Sequence, residues 1–146
     1  MKILGVDPGQ KRIGIAVSDE TASLARPLQV IAHVSRAADA AAIIRVAAEQ
    51  GADAIVIGQS LDDEGRPTYQ GRGADFLAET VRGVSGLTVL LWDEAFTTQD
   101  ARAARIAQGA PRRKRAGHLD DAAAAVMLQS FLDQRGSGPW QVPLER

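Results

Sequence analysis

The stretch KILGVDPGQKRIGIAVSDE, residues 2–20, contains two apolar runs, KILGV at 2–6 and RIGIAVS at 12–18, joined by DPGQK. So short a connection lets the second run fold back on the first, which predicts an antiparallel strand pair. A third run, PLQVIAH at 27–33, extends the pair into a three-strand meander. One residue stands out. Asp7 is a charged group at the mouth of a hydrophobic strand, where an unpartnered carboxylate is costly.

Downstream the apolar period changes. Ala40, Ile43, Ile44 and Ala47 follow the i, i+3, i+4, i+7 spacing of a helix over 37–50, and Gly51 is placed as its stop. ADAIVIG (52–58) reads as a buried strand, and 59–68, with Asp62, Asp63, Gly65 and Pro67, as a loop. A second helix is predicted over about 71–82, with Phe76, Leu77, Thr80, Val81 and Val84 on one side, followed by a strand at 87–92 (LTVLLW). Two further helices are expected near 98–108 and 119–134. The order βββαβαβαα implies an α/β domain over residues 1–135. Its mixed five-stranded sheet combines the three-strand antiparallel meander with two parallel strands, flanked by the helices that parallel strands need as crossovers. Residues 136–146, with Gly136, Gly138, Pro139 and Pro143, are expected to form a poorly ordered tail.

Composition excludes several chemistries. The 146 residues include no cysteine and two histidines, which rules out disulfides, thiol nucleophiles and cysteine-based metal centres and disfavours a histidine-rich one. No apolar run approaches the roughly 20 residues that span a bilayer, and the chain enters a strand at once. A cytoplasmic protein with no membrane partner is expected. Seventeen basic and eighteen acidic residues nearly cancel, but their distribution is uneven. Arg102, Arg105, Arg112, Arg113, Lys114 and Arg115 form a stretch free of acids that runs up to Asp120 and Asp121.

In open sheets ligands bind beyond the strand ends where the chain order switches, which is where Asp7 sits if KILGV is central. A plain Asp-Pro-Gly turn is the alternative. Other acids occupy equivalent places. The strand LLW runs into Asp93-Glu94, and the Thr97-x-x-Asp100 spacing then starts a helix. Asp120 precedes Ala123, Ala124, Met127, Leu128 and Phe131 at intervals that put it on the face packed against the sheet, and Asp121 fits an inward face less well. Either could instead be an N-terminal acid favoured by the helix dipole. Carboxylates converging on one sheet edge repel one another unless a divalent cation neutralises them, and all-oxygen ligands suit Mg2+ or Mn2+. Such ions would serve phosphoryl transfer to water.

The blocks GVDPGQKRIGIAVSDE, VIGQSLDDEG, WDEAFTT and HLDDAAAAVMLQSFL, in this order from Lys2 to about Leu132, resemble the YqgF (RuvX) family. The resemblance implies an RNase H-like fold and a metal-dependent nuclease acting in 5′-end maturation of precursor 16S ribosomal RNA, with resolution of Holliday junctions in branched DNA as the alternative substrate class. It implies Asp7, Glu94 and Asp120 as catalytic and metal-binding carboxylates; Asp121, which the alanine-rich helix pattern also allows to face inward, is the weaker metal candidate. This sequence departs from the family pattern in two places. Ala95 stands where an arginine is usual, and Gln59-Ser60 where Leu-Pro is usual. Resolvases of the wider superfamily carry a glutamate near that strand end, and Gly58-Gln59 offers none. Glu94 must therefore supply the second carboxylate.

Lys11, Arg12, Arg112, Arg113, Lys114 and Arg115 are candidates for holding the nucleic-acid backbone, because charge-assisted contacts to phosphate position a strand without reading its sequence. A solvated basic loop is the plainer reading of the last four. His118, beside the acids, is equally consistent with a structural role. Aromatic residues are scarce and none interleaves the basic cluster, so no stacking platform is expected. Two other classes stay open. DPGQKRIGIAV also resembles the phosphate hairpin of actin-like nucleotide-binding domains, although those pair two such domains around a cleft. A noncatalytic ribosome-assembly factor could keep the same fold. A junction resolvase would require two active sites and hence a homodimer.

Overall fold

The computed structural model describes residues 1–94 and 119–134. Five strands, β1 (Ile3–Pro8), β2 (Arg12–Ser18), β3 (Ala25–Ala32), β4 (Ala54–Gln59) and β5 (Thr88–Asp93), form one sheet in the order β3-β2-β1-β4-β5. β1 to β3 are an antiparallel meander, and β4 and β5 run parallel to β1. The crossover from β3 to β4 is α1 (Arg36–Gln50), and that from β4 to β5 is α2 (Tyr69–Ser85). The last helix, α3 (Leu119–Gln134), covers the other face. The expected helix near 98–108 and the tail at 136–146 lie outside the described residues.

Strand alternation sorts the side chains into two cores. Leu4, Val6, Ile13, Ile15, Val17, Ile55 and Ile57 pack under α1 and α2 with Ile43, Leu77 and Val81. Ile3, Ala16, Val56 and Leu90 pack under α3 with Met127, Leu128 and Phe131. β1 and β4, with helices on both faces, are therefore apolar at nearly every position, as central strands of such sheets must be. On the α3 side, a Cβ on Gly5 would fall 2.8 Å from Leu128 Cβ. The bare glycine is what lets α3 approach β1 so closely.

The helix limits follow local chemistry. Ser35 caps α1 by accepting from the Ala38 amide at 3.1 Å, and Gly51 ends it in the left-handed conformation at φ 68°. Ala52 is drawn into that cap by the hydrogen bond that its amide donates to the Ala47 carbonyl at 2.9 Å, so β4 starts at Ala54 rather than 52. β3 starts earlier than the apolar run suggests, at Ala25, whose amide donates to Gln129 Oε1 of α3 at 2.9 Å. In the β2–β3 turn, the Ser23 and Leu24 amides donate to Asp19 Oδ1 at 2.8 and 3.3 Å. The Ser23 bond is the chief reason that the Asp19 carboxyl titrates below its usual range.

α2 turns a different face inward from the one expected. Its buried line is Gly71, Ala74, Leu77, Ala78 and Val81, whereas Phe76 and Val84 are 46% and 72% exposed. Small residues define that line because the N-terminus of α2 runs against the end of β4: a Cβ on Gly71 would fall 2.1 Å from the Ser60 carbonyl oxygen. Backbone cannot yield as a side chain tip can. The overlap costs about 1–3 kcal/mol, against roughly 1 kcal/mol that alanine gains in helix propensity, so Gly71→Ala is expected to lower stability by up to about 2 kcal/mol, as measured by urea unfolding.

Candidate active site

Asp7 is half-buried near the C-terminal end of β1. Ile3 lies in the α3 core and Gly5 faces Leu128, so alternation places Asp7 on the α3 face of the sheet as well. Val6 is in register with Ile57 on the neighbouring parallel strand, which makes Gly58 level with Asp7. Gly58 shares the face, following Ala54 and Val56 of the α3 core. The same alternation along β5, through Leu90 and Trp92, turns Glu94 to this side.

Glu94 occupies the space that Gly58 leaves free. A Cβ built on Gly58 would fall 2.9 Å from Glu94 Oε1 and 3.2 Å from its Cγ. The carboxylate from the end of β5 thus lies over β4, one strand spacing of about 4.8 Å from β1. Its backbone is fixed by the Glu94 amide, which donates to the Gln59 carbonyl at 2.9 Å. Gln59, buried on the opposite face, donates through Nε2 to the Gly71 carbonyl at 3.0 Å and ties the start of α2 to the same strand end. β4 contributes no carboxylate, yet a carboxylate sits above it.

α3 brings the third candidate to this end. Its C-terminal half is anchored at the far end of the sheet, where Gln129 Nε2 donates to the Ser23 carbonyl at 2.9 Å and its Oε1 accepts from Ala25. The N-terminal turn, which contains Asp120 and Asp121, therefore points toward the end that carries Asp7 and Glu94. Farther along α3, Phe131 meets Trp92 edge-on with ring centroids 5.3 Å apart, and Trp92 Nε1 donates to Ser130 Oγ at 3.3 Å. The side chains of Asp120 and Asp121 lie outside the described set, as do His118 and all of Arg112, Arg113, Lys114 and Arg115. Among the described residues no three acidic or histidine side chains group closely enough to hold a metal ion. Of the three candidate carboxylates, the described side chains are those of Asp7 and Glu94.

Arg12 opens β2 on the Asp7 face and is exposed, while Lys11 is exposed in the hairpin turn. That turn is tight: a Cβ on Gly9 would fall 2.6 Å from the Arg12 carbonyl oxygen. The sequence offers Asp7, Glu94, Lys11 and Arg12 as candidates but not Gly58, which is legible in it only as the place of a missing glutamate. The all-oxygen pair, set against a glycine that clears room for one carboxylate, fits a hard divalent cation.

Residues 1–134 match the model of the family described as "RuvX: Holliday junction resolvase". The chain belongs to the RuvX family. Among curated relatives, one from Novosphingobium aromaticivorans named "Putative pre-16S rRNA nuclease" is 40% identical over 131 residues, covering 90% of this chain and 84% of its own. Another with the same name, from an Anaeromyxobacter species, is 38% identical over 135 residues, covering 92% and 98%. Among solved structures, Thermus thermophilus RuvC in complex with a Holliday junction substrate superposes with a TM-score of 0.59 at 19% identity, covering 93% of this chain and 96% of that one. Fowlpox virus resolvase in complex with junction DNA gives 0.57 at 15%, covering 92% and 99%. These RuvC-like neighbours establish the RNase H-like fold of this RuvX member.

Proposed function

We propose that this RuvX chain is a divalent-metal-dependent nuclease that hydrolyses phosphodiester bonds, acting on precursor 16S ribosomal RNA in the cytoplasm. The observation that carries the reading is the Glu94 carboxylate lying over Gly58 on the face of Asp7. Family membership and the names of the curated relatives support the same activity. Asp7, Glu94 and Asp120 hold the ion, Mg2+ or Mn2+. When bound, it supplies charge neutralisation at the scissile phosphate and lowers the pKa of the attacking water.

The chain's own residues do the positioning. Asp7 and Glu94 come from the ends of sheet strands, whose paired backbones hold both carboxylates in place before substrate arrives. Arg12, on the same face, and Lys11, at the hairpin turn, take phosphates flanking the scissile bond, and Arg112, Arg113, Lys114 and Arg115 grip the strand farther out. Hydrolysis leaves a 3′-hydroxyl and a 5′-phosphate.

The test is cleavage of end-labelled precursor ribosomal RNA, single-stranded DNA and a four-way DNA junction with Mg2+, Mn2+ or chelator. Metal-dependent cleavage of the RNA is expected. Preference for the four-way junction would move the substrate to branched DNA and call for a homodimer. Absence of any cleavage would leave a noncatalytic assembly factor.

A further inference from the structure

Behind the carboxylate edge, on the α1 and α2 side of the sheet, lies a cleft of about 420 Å³. Its walls come from the β1–β2 hairpin through Pro8 and Gly9, from the start of α1 through His33 and Arg36, and from the start of α2 through Tyr69 and Gln70. Pro8 and Gly9 directly follow Asp7. A strand leaving the proposed reaction centre over the hairpin would enter this cleft.

α2 presents an unusual surface there. Tyr69, Arg72, Gly73 and Phe76, at i, i+3, i+4 and i+7, share one helix face and are all exposed, Tyr69 at 83%. Gly73 meets nothing within 4 Å at its notional Cβ and leaves the groove between the two rings open. The Arg36 guanidinium lies over the Phe76 ring, 4.4 Å from its centroid, and that of Arg72 lies 5.8 Å from the centroid of Tyr69. Neither arginine has a carboxylate partner among the described residues. His33 is held through Nδ1 by the buried Asp39, whose other oxygen accepts from the Val34 amide at 2.9 Å, so the imidazole forms a fixed wall with Nε2 as its remaining polar atom.

Solvent-exposed rings beside arginines that have no carboxylate partner among the described residues match nucleobases that stack and phosphates that pair. We propose that this cleft and the adjoining face of α2 seat a single-stranded segment of nucleic acid, with a base stacked on Tyr69 and flanking phosphates on Arg36 and Arg72. The inference rests on the nuclease reading for the source of that strand, not for its chemistry. Stacking on an aromatic side chain tolerates any base, so the platform adds affinity for unpaired strand without sequence preference.

The experiment measures binding of fluorescein-labelled single-stranded RNA and DNA, and of a duplex, by anisotropy in chelator, with cleavage assayed separately in metal. Tyr69→Ala is expected to weaken single-strand binding on the order of tenfold, with Tyr69→Phe close to wild type and duplex binding unchanged. A 2-aminopurine placed in the bound segment should lose its stacking quench in Tyr69→Ala and keep it in Tyr69→Phe. Arg36→Gln should weaken binding and reduce its salt dependence. Unchanged single-strand affinity in Tyr69→Ala, equal losses in the alanine and phenylalanine variants, or no single-strand binding by the wild type would each overturn the proposal while metal-dependent cleavage persists. Tyr69-dependent binding by a protein that cleaves nothing would uphold it and remove the nuclease reading instead. Tyr69 is too exposed for these variants to fail through misfolding.

Discussion

Asp7→Asn is expected to lower metal-dependent cleavage by about a thousandfold while leaving the melting temperature close to that of the wild type. The catalytic loss follows from removing one of the negative oxygens that hold the ion: a lost stabilisation of about 4 kcal/mol in the transition state corresponds to roughly three powers of ten in rate. The thermal result follows from shape: the amide is isosteric with the carboxylate, and Asp7 is half-buried near the end of its strand, so the packing of the fold is kept. Single-turnover cleavage and a thermal scan of the metal-free protein measure the two effects. A variant that lost activity by unfolding would melt well below the wild type.

Gly58→Ala is the second large effect, and it isolates geometry from charge. The added methyl group would fall 2.9 Å from Glu94 Oε1, the tip of a flexible side chain that can swing away, so the fold loses little. The carboxylate, however, moves off the position level with Asp7. A misplacement of about 1 Å in a reacting constellation can cost on the order of a hundredfold. Cleavage should fall by about that factor with the urea midpoint within roughly 0.5 kcal/mol of wild type, which separates this variant from Gly71→Ala, where the obstacle is the Ser60 backbone. If Gly58→Ala cleaved at the wild-type rate, Glu94 would not be a ligand in the position described.

The strands and the first helix were legible because their signals are local. Continuous apolar runs define β1, β2, β4 and β5, a short connection pairs the first two, and Gly51 marks the end of α1. What escaped depends on contacts between distant segments. β3 begins at Ala25 because Gln129, 104 residues away, accepts from its amide. The inward face of α2 is set by the collision that a Cβ at Gly71 would have with Ser60, a steric fact invisible in a pattern where Phe76 and Val84 look as apolar as Leu77 and Val81. The site divides in the same way. Asp7 was readable as a charge at a strand end, and the reach of Glu94 was not, because it depends on a glycine on the neighbouring strand. Trp92, on β5 two residues before Glu94, is pinned to α3 by Phe131 and Ser130, another long-range constraint on where that carboxylate stands.

If carboxylates from β1, β5 and the start of α3 form one cation site, Mn2+ affinity reports it without nucleic acid or turnover. Titration calorimetry on the full chain without nucleic acid should give a binding isotherm for the wild type that Asp7→Asn, Glu94→Gln and Asp120→Asn each weaken by tenfold or more, as loss of a charged ligand requires. Wild-type affinity in Glu94→Gln would contradict the account, because it would place the ion away from the carboxylate that lies over Gly58.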